Sequence, residues 1–145
     1  MRLSEKPVKH SVAVVIYSED KKILIVQRPY DDESLPGIWG LPASSLRNGE
    51  SFEEAIFRTG KEKMRVELRI VKMISEGSTE RKNFVLHMKE YEAGIVSGMP
   101  RVPQNADGVT QYRELKYGDS KDLIPAAQKG SLCSMLYLSH EKVQY

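Results

Sequence analysis

Between Leu41 and Val66 the chain reads LPASSLRNGESFEEAIFRTGKEKMRV, a strand end, a glycine turn and an amphipathic helix in succession. Asn48-Gly49 is a turn signal. Ser51 with Glu54 three residues on forms a capping box, which predicts a helix from there to about Met64. The apolar stripe of that helix is Phe52, Ala55, Ile56 and Met64. Acidic residues sit at both of its ends with Arg58 between them. Carboxylates presented beside a loop in this way are how a protein holds a metal ion against a phosphate chain.

The same stretch resembles the signature of the Nudix hydrolases, in which Gly is followed after five residues by Glu, and after seven more by Arg-Glu-apolar-x-Glu-Glu-x-Gly-apolar. Glu50, Arg58, Glu62 and Val66 fall on that pattern, while Ser44, Thr59, Gly60, Lys63 and Arg65 depart from it. The resemblance implies an α+β fold with a mixed β-sheet sandwiched between α-helices. It also implies divalent-metal-dependent cleavage of a pyrophosphate link in a nucleoside di- or triphosphate derivative, as in MutT-like enzymes. On that mapping Glu50 and Glu62 are the metal ligands for Mg²⁺ or Mn²⁺, and Glu62, Arg58 and Lys63 are the catalytic set. Arg28, Trp39 and Lys63 are the substrate contacts, and Gln111, Glu114 or Asp107 offers a late acidic or amide group. The partner is then a small nucleotide-type molecule and not a nucleic-acid polymer, with a homodimer as the family's common assembly.

Thr59 and Lys63 stand where the family usually carries its main metal ligands. Three readings stay open on these residues. Glu50 and Glu62 hold a single metal; or Lys63 replaces a metal as a fixed positive charge, with the Thr59 hydroxyl beside it; or the chemistry is lost and a nucleotide-binding or regulatory module remains. A plainer account makes Glu54, Arg58 and Glu62 a surface ladder of i,i+4 ion pairs. Gly60 takes an apolar core position, which predicts close approach of another element. Ser44 predicts a relaxed loop or a hydroxyl aimed at phosphates.

Outward from this segment, Val12–Tyr17 and Ile23–Val26 are apolar strands joined by a hairpin-length turn. Residues 28–42 carry three prolines and two glycines and read as loop. Strands are expected at 66–74 and 83–91, joined through Glu76-Gly77-Ser78-Thr79, with a further strand over 109–115. In the second of these His87 faces away from Leu86 and Met88. Asp119 or Ser120 starts a short helical segment through Ala127, and Gly130-Ser131 opens a last helix to about Glu141. Trp39 suits either base stacking or packing, and Arg28 either a phosphate or the acids Asp31, Asp32 and Glu33.

Composition bounds the rest. A chain of 145 residues with 40% hydrophobic and 29% charged residues suits one domain over 1–145. The net charge of +2, with basic and acidic residues interleaved, gives no nucleic-acid footprint. The lone Cys133 sits in an apolar helical run and excludes an internal disulfide, pointing to a reducing, cytoplasmic setting and a packing role. The sequence has no apolar run of the roughly 18 residues needed for a membrane span.

Overall fold

Val12–Ile16 is apolar at every position, the pattern of a strand covered on both faces. The computed structural model, which describes residues 6–104 and 112–145, places its first four residues at the C-terminal end of β1 (Val8–Val15), with Ile16 just beyond. Val12, Val14 and Ile16 join one core cluster, and Ala13 and Val15 join another on the opposite face. The remaining elements are β2 (Ile23–Gln27), β3 (Trp39–Gly40), β4 (Ala43–Ser45), α1 (Phe52–Met64), β5 (Glu67–Glu80), β6 (Val85–Ser97) and β7 (Glu114–Gly118). A 3₁₀ turn (Ser120–Leu123), α2 (Ile124–Gln128) and α3 (Leu132–His140) follow.

One sheet is mixed, with strand order β4-β1-β6-β5 and β1 parallel to β6. A second, antiparallel sheet has the order β3-β2-β7. Helix α1 covers one face of the mixed sheet through Ala55, Ile56 and Met64, against Val14, Leu68 and Tyr91. Helix α3 covers the other through Leu132, Cys133, Tyr137 and Leu138, against Ala13 and Met88. This is the α+β arrangement expected from the sequence.

Three details differ from expectation. The turn at residues 18–22 forms, with Ser18 N–H donating to Lys22 O at 2.9 Å, but β1 and β2 diverge after the Tyr17–Ile23 bridge into separate sheets. Residues 76–79 are strand and not a turn; the reversal lies at 81–84, where Arg81 N–H donates to Phe84 O. Gly77 sits in mid-strand because Leu136 of α3 lies over it: a Cβ there would stand 2.7 Å from Leu136 Cδ2. Of the strand expected over 109–115, β7 supplies only the last residues and runs on to Gly118, while 109–111 lie outside the described residues.

Candidate functional site

The capping box forms as read. Ser51 Oγ accepts from Glu54 N–H and Glu54 Oε1 accepts from Ser51 N–H, each at 3.0 Å. Glu54 is therefore spent at the helix start, which removes it from any ladder with Arg58. Arg58 instead turns back to the loop before the helix. Its Nε donates to Glu50 Oε2 at 2.7 Å and its Nη2 to Glu50 Oε1 at 2.9 Å, with a further bond to Ser45 O. This largely buried fork holds the Glu50 carboxyl below its ordinary pKa, chiefly through the Arg58 hydrogen bonds.

Glu62, one turn further on, meets a second fork. Arg47 Nη2 and Nη1 donate to its two oxygens at 2.9 and 3.2 Å, and Arg58 Nη1 stands 3.8 Å away. Arg47 was not distinguished in the sequence. It sits in the turn, where a polar residue is ordinary, and only the folded loop shows which acid it reaches.

Thr59 and Lys63 face the neighbouring strand. Thr59 is fully buried, and its hydroxyl donates to Ala55 O at 2.7 Å or to Ser44 Oγ at 2.8 Å. Ser44 is buried too, so its hydroxyl serves the helix–strand contact as well as the cleft wall. Lys63 extends under β4, where Nζ donates to Ala43 O and lies 5.5 Å from the centre of the Tyr112 ring. Burial first, then the charges of Arg58 and Arg28, pushes its pKa down to about 8. Tyr112, also unread from sequence, closes this corner: its hydroxyl lies 3.2 Å from Ala43 N and 3.3 Å from Ala43 O, and burial lifts its pKa to about 12.

Ser44, Arg47, Arg58, Glu62, Lys63 and Tyr112 border a cleft of about 530 Å³, which Glu50 and Thr59 do not line. Among the described residues its charged lining is Arg28, Arg47, Arg58 and Lys63 against Glu62, above an apolar floor of Leu41, Leu86 and Met88. Arg28 lies 3.4 Å from Asp32, one of the three acids offered by the loop. Trp39 lines the cleft and packs on the core, with Lys116 Nζ 4.5 Å from its ring centre. Cys133 is buried at the floor, its thiol pushed up by burial. Exposed Glu114 does not border the cleft, and Gln111 and Asp107 fall outside the described residues.

The arrangement does not fit a divalent metal. Both retained carboxylates have their oxygens taken by guanidinium forks, the two other ligand places hold a buried hydroxyl and an ammonium, and no group of three metal-type ligands converges among the described residues. Mg²⁺ here would have to share both carboxylates with bidentate guanidinium contacts, beside a third cation. The assignment of Glu50 and Glu62 as a working metal pair is thus not supported by their partners. What the site can do is hold an anion. Among the described residues Arg28, Arg47 and Arg58 are each opposed by an acid (Asp32, Glu62, Glu50), and Lys63 is met by a carbonyl and a ring.

A mixed sheet between helices, with an Arg–Glu clasp linking helix to preceding loop, defines a class of domain, and the comparison with known families agrees. The NUDIX domain model matches residues 7–116, and the chain belongs to the Nudix family. Members of that family generally use divalent metals and act on small nucleotide substrates. No curated protein matches the chain. Among solved structures it is similar to the MutT NUDIX hydrolase from Burkholderia pseudomallei, at TM-score 0.71 and 20% identity over 96% of this chain and 100% of that one. The E. coli ORF135 protein gives 0.71 and 17% over 97% and 96%. An ADP-ribose pyrophosphatase from Streptococcus suis gives 0.64 and 16% over 94% of each. At these identities the likeness is one of fold. No helix among the described residues is long and apolar enough to cross a membrane.

Proposed function

We infer that this Nudix domain binds the phosphate chain of a small nucleotide-type molecule in the cleft without a divalent metal, and does not hydrolyse it. The observation that carries this reading is the pair of guanidinium forks on Glu50 and Glu62 beside the Lys63 ammonium. Lys63, which has no acid in ion-pair contact among the described residues, is the primary phosphate contact, and Arg28 with its long contacts to Asp32 is the second. Trp39 offers an aromatic wall for the base.

The alternative is the family's reaction: a Mg²⁺- or Mn²⁺-dependent hydrolysis with Glu62, Arg58 and Lys63 as the reacting set. Family membership and the retention of Glu50 and Glu62 favour it. One set of measurements separates the two. ADP-ribose, nucleoside di- and triphosphates and pyrophosphate are titrated calorimetrically in EDTA and again in Mg²⁺ or Mn²⁺, with released phosphate assayed in parallel. Metal-free binding is expected to be unchanged by EDTA, lost in Lys63→Glu and unaccompanied by phosphate release. Turnover with Mg²⁺ or Mn²⁺, or binding that vanishes in EDTA, would establish the hydrolase instead.

A further inference from the structure

Two guanidinium forks stand beside the cleft, and their surroundings set them apart. The Arg58–Glu50 fork is nearly closed to solvent, its side chains 14% and 12% exposed. It also ties the helix to the preceding strand, because Arg58 Nη2 donates a second time to Ser45 O. Breaking it would strand two ions in a poorly hydrated place. The Arg47–Glu62 fork is open by comparison, at 55% and 29% exposure. A carboxylate and a guanidinium paired in that much water gain little from each other, so a stronger anion takes the guanidinium at small cost.

The backbone of Arg47 is fixed while its side chain is not. Arg47 N–H donates to Glu50 Oε1 at 2.9 Å, and Arg47 O accepts from Glu50 N–H at 3.0 Å. By holding Glu50, Arg58 thus also anchors the turn from which Arg47 projects. The motion left to Arg47 is rotation of a side chain that lines the cleft together with Arg28 and Lys63. Glu62 has a second cation within reach. Arg58 Nη1 stands 3.8 Å from Glu62 Oε1, and it donates no hydrogen bond among the described residues. A rotation of the Glu62 carboxylate closes that gap, so its charge stays paired when Arg47 leaves. A phosphate group offers the planar fork of Arg47 more charge and more acceptor oxygens than a carboxylate does.

We propose that Arg47 is an exchangeable phosphate contact: Glu62 and the phosphate group of the ligand compete for its guanidinium, and the carboxylate passes to Arg58 when the ligand takes it. Resting on the phosphate-binding reading of the cleft, this exchange makes Glu62 a built-in competitor that weakens binding.

Pyrophosphate and ADP-ribose are titrated calorimetrically in EDTA into the parent, Glu62→Gln, Arg47→Gln, Arg47→Lys and the Arg47→Gln/Glu62→Gln double variant, with ligand-free melts as a check on folding. Glu62→Gln is expected to strengthen binding about fivefold and Arg47→Gln to weaken it about tenfold. Arg47→Lys, which keeps the charge but not the fork, should fall between the parent and Arg47→Gln. The gain from Glu62→Gln should vanish once residue 47 is glutamine, because nothing remains to compete for. An equal gain in both backgrounds is what a general loss of negative charge would give, and it overturns the exchange, as does an unchanged affinity in Glu62→Gln. A crystal structure of the parent with pyrophosphate needs no variant. Arg47 on a phosphate oxygen and Glu62 hydrogen-bonded to Arg58 Nη1 are expected there, and Arg47 still on Glu62 beside the bound anion overturns the exchange. Binding of neither probe by the parent or by Glu62→Gln overturns the phosphate reading itself, and the exchange with it.

Discussion

Among the described residues the Lys63 ammonium is held by a single carbonyl, and it is largely removed from water, so its charge is retained at a cost to the folded state. The folded amine gives up its proton near pH 8, the unfolded one near 10.5. Between those values the unfolded chain binds more protons, so stability rises with pH across that window and carries the full cost below it. At about 1.4 kcal/mol per unit of pKa, Lys63→Met should stabilise the protein at pH 7 by on the order of 3 kcal/mol and flatten the rise from pH 8 to 10.5. Ala43 O remains close to the Tyr112 hydroxyl, so the substitution leaves no bare acceptor. Denaturant unfolding at a series of pH values measures both effects. The same variant should lose phosphate-chain binding, and in the parent that binding should weaken as pH rises above 8. A variant gaining stability while losing ligand marks a residue kept for its site.

At the scale of elements, helix α1 shows what sequence carries and what it does not. Its start, its length and its apolar stripe follow from local chemistry: a capping box, residue spacing and the reach of one turn to the next. Gly60 was legible as a close approach because a glycine in a helix interior is unfavourable without one. The partners of Glu50 and Glu62 were less so, since Arg47 and Arg58 reach them only when loop and helix have met, and nothing in their spacing says which acid each will take. Gly77 misled for the same reason. A glycine in a strand and a glycine in a turn look alike until α3 is laid across the sheet. The two glycines also answer differently to a methyl group. A Cβ at Gly60 meets Leu68 Cγ and Cδ1 at 2.7 Å and the Val66 carbonyl at 3.0 Å, inside a closed core. At Gly77 it meets the end of the half-buried Leu136 side chain at 2.7 Å, with Leu136 Cγ and Cδ1 at 3.7 and 3.8 Å. Gly60→Ala should therefore destabilise by about 1–2 kcal/mol even after its gain in helix propensity, because Leu68 and the backbone have little room to yield. Gly77→Ala should change stability by less than about 0.5 kcal/mol, since a rotation of Leu136 clears the space. Thermal melts of the two variants side by side check the contrast.

For the molecule as a whole the decisive group is Glu90. It lies in the middle of β6, paired across the sheet with Ala13 on one side and Ser75 on the other, and it is fully buried. Neither carboxyl oxygen has a hydrogen-bond partner among the described residues. Burial alone raises its pKa well above the ordinary 4.5. The folded protein thus keeps this proton to higher pH than the unfolded chain does, and in that interval the folded state binds more protons. Stability accordingly falls as pH rises from about 4.5, the reverse of the behaviour of Lys63 at alkaline pH. The sheet and both helical layers converge on this strand, so the linkage acts on global unfolding and not on a local opening. Glu90→Met keeps the volume and removes the unpaired oxygens. It should stabilise the protein at pH 7 by about 1–3 kcal/mol, the usual cost of an unsatisfied buried polar group, and abolish the decline between mildly acidic and neutral pH. Glu90→Gln should remove the pH dependence but recover little stability, because its amide remains without partners. Denaturant melts of the three proteins at pH 5 and pH 7 distinguish these outcomes, and a parent protein more stable at pH 7 than at pH 5 by the Glu90 contribution would refute the assignment.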